Sequence, residues 1–420
     1  MYHPALVPGG SQQACYELFA GLQNECEVLL LASLEEKLAP ALFKSGATIT
    51  GFDGRKNEFL FLSQAYDHVW HKNLQANSLE KFEAFLRETS PDVIHFHHYL
   101  TYGLEYIKAA RNYLDAAGGR LVFTFHEFVS ICPALGQMVR TADKSLCEKA
   151  SSVRCHQCFP EFTPEHFSMR RMWIKHHLDL VDVFVAPSAF LRDRYVDWGI
   201  PENKIIHIAN GHQPMLPELP ISRRPDIHEQ RRSRFAFFGQ FVDNKGLLVL
   251  FDAVRLLRKR GFDDFTLDVY GSNLDFASDA FKRDFEKFWT GESAAGNDGQ
   301  RLRLRGSYEI SQIPRFMAVT DWVVVPSTWW EIFGMVVSEA FMFGKPVICS
   351  NIGGIAERVC HDVDGLQFVV GSSESLADAM ERALTEEGLW ERLHKNVRQP
   401  PTAAIVARQH IELCYSPMVQ

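Results

Sequence analysis

Hydrophobic positions along the chain fall into short β-branched or aromatic runs, separated by longer stretches with helical spacing of apolar residues. In the first half, the runs at 27–32, 93–97, 120–125, 183–186 and 205–209 read as strands. Residues 11–22, after a Gly-Gly loop, and 104–117 read as helices. A second series has strands at 235–238, 266–270, 301–304, 322–325 and 346–349 and helices at 247–260, 279–289, 334–343 and 373–385. Such alternation predicts parallel α/β units, and two doubly wound sheets in series is the simplest account. The boundary falls at 211–233, where four prolines and little periodicity mark a linker. Five arginines up to Arg234 could meet a phosphate-rich partner there, although a solvated charge run is the plainer reading. The chain divides into 1–212, a linker 213–233, 234–398 and a terminal segment 399–420. Only eight residues precede Gly9-Gly10. Either the first strand is very short, or the chain begins inside its first βα unit.

Composition narrows the function classes. A chain of 420 residues has room for two or three domains, and 46% hydrophobic residues supply their cores. The net charge of −8 lacks the basic excess of a nucleic-acid binder. No apolar run approaches the ~18 residues that span a bilayer, and MYHPALVPGG is not a secretory signal. A soluble, cytoplasmic protein is the expectation. Residues 168–180, SMRRMWIKHHLDL, could touch the inner face of a membrane or a phosphate-bearing acceptor. An ordinary amphipathic helix is the alternative.

Nine cysteines make no disulfide scaffold, and the odd count leaves at least one unpaired. Cys15, Cys26, Cys349, Cys360 and Cys414 are scattered and read as small buried hydrophobes. Cys132, Cys147, Cys155 and Cys158 crowd together and could complete a tetrahedral structural zinc site. There is one C-x2-C knuckle rather than two, so buried or unpaired thiols remain the alternative. His156, between two of them, is expected to face solvent.

Two stretches carry the candidate chemistry. In 321–343, DWVVVPSTWWEIFGMVVSEAFMF, an apolar strand ends at Pro326-Ser327 and an aromatic loop leads to Glu331 and a helix. Free backbone N–H groups and the helix dipole at this junction suit a diphosphate. If 331–339 is mostly helical, Glu331 and Glu339 stand ~12 Å apart along the axis. That is too far for a glycosidase-type acid–base pair, but suits two hydroxyl-binding carboxylates at the ends of an extended ligand. In 235–246, FAFFGQFVDNKG, a buried strand ends at Gly239 and Lys245-Gly246 opens a helix. Lys245 then points a cation past the strand ends, where open α/β sheets bind ligands. The plainer readings are a solvated helix face and a surface lysine. Asp362-Val363-Asp364, although an Asp-x-Asp, immediately precedes Gly365 and reads as a turn.

The ordered series GG, FHE, FFGQ-x4-KG, E-x7-E, GKPVICSNIGGIAE and DGLQF resembles the retaining glycosyltransferases of family 4. The likeness covers nearly the whole chain and is densest over 235–368. It implies the GT-B fold, two Rossmann-like domains facing across a cleft, with helix 402–414 returning to the N-terminal domain. Gly10 would lie in the loop near the donor diphosphate and acceptor, and His126 beside the transferred sugar. Lys245 would neutralise the leaving diphosphate, with Gly239 and Gln240 at the same strand end. Glu331 would hold sugar hydroxyls, and backbone N–H groups from Phe333 through Gly334 to Met335 would surround sugar and phosphate. Glu339 would bind the ribose, while Ser307 and Tyr308 frame the base. Gln240 departs from the family's usual Arg and removes one positive charge.

The implied activity is transfer of a sugar from a nucleotide-diphosphate donor to a glycan, lipid-linked or small-molecule acceptor, with no catalytic cofactor or metal. The same-fold rival is a sugar-nucleotide epimerase, and the rival of another class is a non-catalytic sugar-nucleotide-binding subunit. A dehydrogenase is disfavoured because no G-x-G-x-x-G follows a strand.

Overall fold

The computed structural model describes residues 1–34, 48–63, 66–215, 232–294 and 301–416. It separates into one unit of Met1–Gln213 with Pro401–Gln420 and a second of Pro214–Pro400.

The first unit opens with α1 (Gly10–Leu22), β1 (Leu30–Leu34), β2 (Thr48–Gly51), β3 (Glu58–Leu62) and a small hairpin, β4 (Tyr66–Asp67) with β5 (Lys72–Asn73). There follow α2 (Ser78–Thr89), β6 (Val93–Phe96), α3 (Glu105–Ala117), β7 (Arg120–Thr124), α4 (Ser152–Cys158), α5 (Pro164–Leu178), β8 (Val183–Ala186), α6 (Ala189–Trp198) and β9 (Ile205–His207). Among the described residues, β6-β7-β8-β9 form a parallel sheet and β1-β3-β2 a second, mixed one. β7 and β8 are almost wholly buried, as strands covered by helices on both faces must be. Ahead of the Gly-Gly loop stands only a single parallel bridge between Tyr2 and Ser33. An apolar cavity of about 520 Å³ lies between β1 and β6, lined by residues such as Leu22, Leu30, Phe82, Ile94 and Tyr415.

The segment singled out at 168–180 falls largely in α5, which is packed inward. Buried Arg170 donates to the carbonyls of Val129 and Ser130, Arg171 to that of Trp198, and Lys175 to that of Gly199. The cations read as a membrane or acceptor face are therefore engaged in holding the unit together, leaving Met169 and Met172 exposed. Among the described residues no helix is long and apolar enough to cross a membrane.

The second unit contains β10 (Arg234–Phe238), α7 (Leu247–Lys259), β11 (Thr266–Tyr270), α8 (Asp279–Ala294), β12 (Leu302–Gly306), α9 (Ile313–Ala318) and β13 (Trp322–Val325). It continues through α10 (Met335–Met342), β14 (Val347–Ser350), α11 (Gly353–Arg358), β15 (Gly365–Phe368), α12 (Ser373–Thr385) and α13 (Leu389–Asn396). All its strand pairs are parallel, in the order β12-β11-β10-β13-β14-β15. Helix α7 buries Leu247, Leu250, Phe251, Val254 and Leu257, the 3–4 residue spacing of one helical face. Each such side chain contributes roughly 1.5–3 kcal/mol of burial. Most of the linker read at 213–233 lies outside the described residues, with Arg223, Arg224 and Arg231. Arg232 stacks on Trp390 at 3.9 Å and Arg234 pairs with Asp321 at 2.8 Å, so neither is a free cation for a phosphate partner. In the Asp362–Asp364 turn, Asp362 pairs with Arg382 and buried Asp364 with Arg398.

The chain ends in α14 (Ala403–His410), which packs on α1 in the first unit. A side chain at Gly21 would meet the Ala403 carbonyl at 2.4 Å, so glycine permits that close approach.

Candidate functional site

In the second unit the chain leaves β10 toward β11 on one side of the sheet and β13 toward β14 on the other. Loops at the carboxyl ends of these two neighbours therefore splay apart and open a crevice, the place where doubly wound sheets bind ligands. Lys245 follows β10 and Glu331 follows β13. Their side chains meet, with Nζ donating to Oε1 at 2.5 Å, and Nζ also lies 5.3 Å over the Trp329 ring. Burial alone would raise the Glu331 carboxyl. The charge and hydrogen bond of Lys245, with the hydrogen bond of Ser327, hold it below the ordinary carboxylate range instead.

Backbone packing fixes this pair. Gly246 adopts φ +70, and a Cβ there would overlap the Pro326 carbonyl at 1.7 Å, so the β10 and β13 loops touch directly. The Thr328 N–H donates to the Asn244 carbonyl at 2.9 Å. From the other side, the Gly354 N–H donates to the Glu331 carbonyl at 2.6 Å. Side chains at Gly353 and Gly354 would collide with the Glu331 and Ile332 carbonyls at 2.4 and 2.0 Å. The SNIGGIAE stretch thus cradles the loop that carries Glu331.

Residues 331–334 are not helical. α10 starts at Met335 with Gly334 as its left-handed N-cap, so the ~12 Å estimate for a helical 331–339 does not apply. Phe333 is buried under the Arg358 guanidinium, 3.7 Å from the ring centroid. Arg358 also donates to the carbonyls of Phe333 and Gly334, at 3.1 and 2.9 Å. It pins the turn at the amino end of α10, the positive end of the helix dipole. Glu339 is buried on α10, close enough to Tyr308 for its charge, after burial, to push the phenol up. Tyr308 packs against Phe238, Tyr270 and Phe316 beyond β12. Gly239 follows β10 and donates to the Tyr270 carbonyl, while Gln240 and Ser307 are exposed beyond their strand ends.

The first unit holds the remaining candidates. Gly10 opens α1 behind an extended Gly9. His126 follows β7, and its Nε2 shares a 2.9 Å hydrogen bond with Nδ1 of His97, which follows the neighbouring β6. Burial pushes the His126 imidazole down to about 4, against the pull of Glu127, so it is neutral at pH 7. Glu127 itself pairs with His98 at 3.0 Å. Cys132, Cys147, Cys155 and Cys158 are free thiols of the same unit. His156 is half-buried rather than solvent-facing, tied to the Phe162 carbonyl at 2.7 Å.

Sequence reasoning missed Ser327, Arg358 and His97. Arg358 directly follows the GG-x2-E motif, but only tertiary contact reveals its grip on Phe333. The HFHH run at 95–98 was a visible signal for His97.

Residues 8–214 match the model of Glycosyltransferase Family 4, and residues 221–400 that of Glycosyl transferases group 1. The chain is 26% identical over 208 residues to an uncharacterized glycosyltransferase of Methanocaldococcus jannaschii, covering 47% of this chain and 50% of that protein. It is 26% identical over 258 residues to the lipopolysaccharide 1,2-N-acetylglucosaminetransferase of Salmonella typhimurium, covering 59% of this chain and 66% of that enzyme. The matches thus span about half to two thirds of these relatives. Anabaena HepE, solved in complex with UDP, superposes with a TM-score of 0.66 at 18% identity, covering 97% of this chain and 96% of HepE. With two Rossmann-like domains and both family signatures in order, this chain belongs to the group 1, family 4 glycosyltransferases of GT-B fold.

Proposed function

We propose that the protein is a retaining glycosyltransferase that moves a sugar from a nucleotide-diphosphate donor to a hydroxyl of a glycan, lipid-linked or small-molecule acceptor. The Lys245–Glu331 pair at the strand-order switch, beside the amino end of α10, is the observation that carries this reading. Lys245 and the first amides of α10 take the diphosphate, whose charge grows as the bond from the anomeric carbon to phosphate breaks. Glu331 receives sugar hydroxyls, Glu339 the ribose, and the Ser307-Tyr308 backbone the base. Gly10 and His126 serve the acceptor side, with neutral His126 able to hydrogen-bond the sugar. The acceptor oxygen attacks the same face that the nucleotide leaves, and its proton passes to the departing phosphate oxygen. No catalytic metal enters this scheme, because Lys245 and the helix end supply the positive charge. UDP bound to HepE supports a nucleotide donor. The reaction takes place in the cytoplasm.

The test is incubation of the chain with a panel of nucleotide sugars and hydroxyl acceptors, with product anomers read by NMR. Retention of the donor's anomeric configuration is expected. Inverted product, or release of an altered nucleotide sugar without acceptor, would refute the proposal.

A further inference from the structure

Four cysteines outside the donor chemistry come together in the first unit. Cys132 follows the loop after β7, and Cys155 and Cys158 sit three apart on α4, on one face of that short helix. With Cys147 they line a single pocket of about 20 Å³, closed by Pro133, Val139 and Phe159. That volume admits one water-sized occupant and no more. Cys155 is close enough to Cys132, Cys147 and Cys158 to feel the charge of each, and Cys147 is similarly close to Cys158.

Burial raises the thiols of Cys132, Cys147 and Cys155, and backbone amides and guanidiniums around the pocket oppose that rise. Backbone N–H groups of Ala134 and Met138 point at the Cys132 sulfur, and that of Lys149 at the Cys147 sulfur. In both turns the amide two residues beyond the cysteine folds back onto it, the kind of outer hydrogen bond that orients a metal ligand. Arg140 and Arg154 line the same pocket, and Arg170 acts on Cys132 and Cys155. Four thiolates around a divalent ion carry two net negative charges, which these guanidiniums offset.

We propose that Cys132, Cys147, Cys155 and Cys158 bind one structural zinc ion. Sulfur-only, four-coordinate ligation suits zinc, which needs no redox partner. Among the described residues no group of three or more His, Cys, Asp or Glu is already arranged to hold a metal, so ligation requires the four thiols to draw closer together than the structure places them. Binding replaces four S–H protons by four Zn–S bonds and releases the protons to solvent. The ion would tie α4 to the loop after β7, in which Cys132 lies six residues beyond His126. Buried Arg170 of α5 already anchors that loop through the carbonyls of Val129 and Ser130.

The experiment is elemental analysis of the full chain, purified under reducing conditions from zinc-supplemented medium without chelator. About one zinc per chain is expected, retained in Cys26→Ser, whose thiol is exposed and outside the pocket. It should be lost in the Cys155→Ser/Cys158→Ser double variant. Should that variant fail to fold, Co²⁺ added to the metal-stripped wild-type chain gives the answer. Thiolate-to-cobalt charge-transfer absorption saturating at one equivalent is expected. A metal-free chain with no such absorption, iron in place of zinc, or zinc retained by the double variant would overturn the proposal.

Discussion

Lys245 Nζ and Glu331 Oε1 lie 2.5 Å apart, joining the loops that follow the two central strands of the second sheet. A buried carboxylate and a cation that neutralise each other can be held ready without a ligand, and a diphosphate sugar can then divide them. On the proposed reading the cation turns to phosphate and the carboxylate to sugar hydroxyls. The pair is partly buried, so truncating either side leaves a charge poorly compensated.

Lys245→Ala should therefore lower kcat by a factor on the order of 10²–10³, as for other groups aimed at developing charge. Glu331 should meanwhile lose its largest stabilising influence and move up toward the range that burial dictates. In the wild type the depressed Glu331 contributes stability above the ordinary carboxylate pKa, lost as pH falls toward its folded value. Melting curves between pH 7 and 3 check this. Wild type should lose Tm more steeply than Lys245→Ala on the acid side.

Glu339→Ala should behave differently. The ribose it is proposed to hold changes little during reaction, so uniform binding is lost, raising KM with kcat less affected. Initial-rate kinetics across donor concentration separate the two patterns.

Gly354→Ala tests the cradle beneath Glu331. Its new Cβ would meet the Ile332 carbonyl at 2.0 Å, backbone against side chain, so the loop must shift. Donor binding measured by calorimetry should weaken at least tenfold (~1.4 kcal/mol). Unchanged affinity would mean that the loop is not fixed from this side.

The buried histidines of the first unit carry a pH prediction. Burial pushes His126 and His410 down to about 4, and His95 and His97 well below the usual value. The unfolded chain binds protons near pH 6.5 that the folded chain refuses, so stability falls as pH drops from about 6.5 to 4. His97→Phe should also reduce turnover by freeing the His126 ring, without altering affinity for the nucleotide alone. Denaturant titrations across this range and paired binding assays check both.

Much of this was legible in the sequence where chemistry and local geometry coincide. The strands 183–186, 266–270 and 322–325 have the bounds that their apolar runs indicated. Lys245 and Glu331 stood out because each lies in the loop that follows a buried strand, ahead of a helix. Their contact did not, since it depends on β10 and β13 being neighbours although separated by two other strands in sequence. The strand Glu58–Leu62 was passed over, although EFLFL after a turn-rich stretch is a readable apolar run. The helix read at 334–343 begins one residue later, at Met335 after left-handed Gly334, and the helical spacing considered for 331–339 does not apply. Arg358 acts only through tertiary contacts that no local pattern encodes, whereas His97 stands in the readable HFHH run at 95–98.

The most direct measurement is calorimetric titration of nucleoside diphosphates and their sugars into the wild-type chain and the Lys245→Ala/Glu339→Ala double variant. The account predicts saturable one-to-one binding of at least one nucleotide sugar. A ligand at 100 times its Kd should stabilise the wild type by ~2.7 kcal/mol, with affinity at least 100-fold weaker in the double variant. Equal affinity in both proteins, or no nucleotide bound by the wild type, would contradict it.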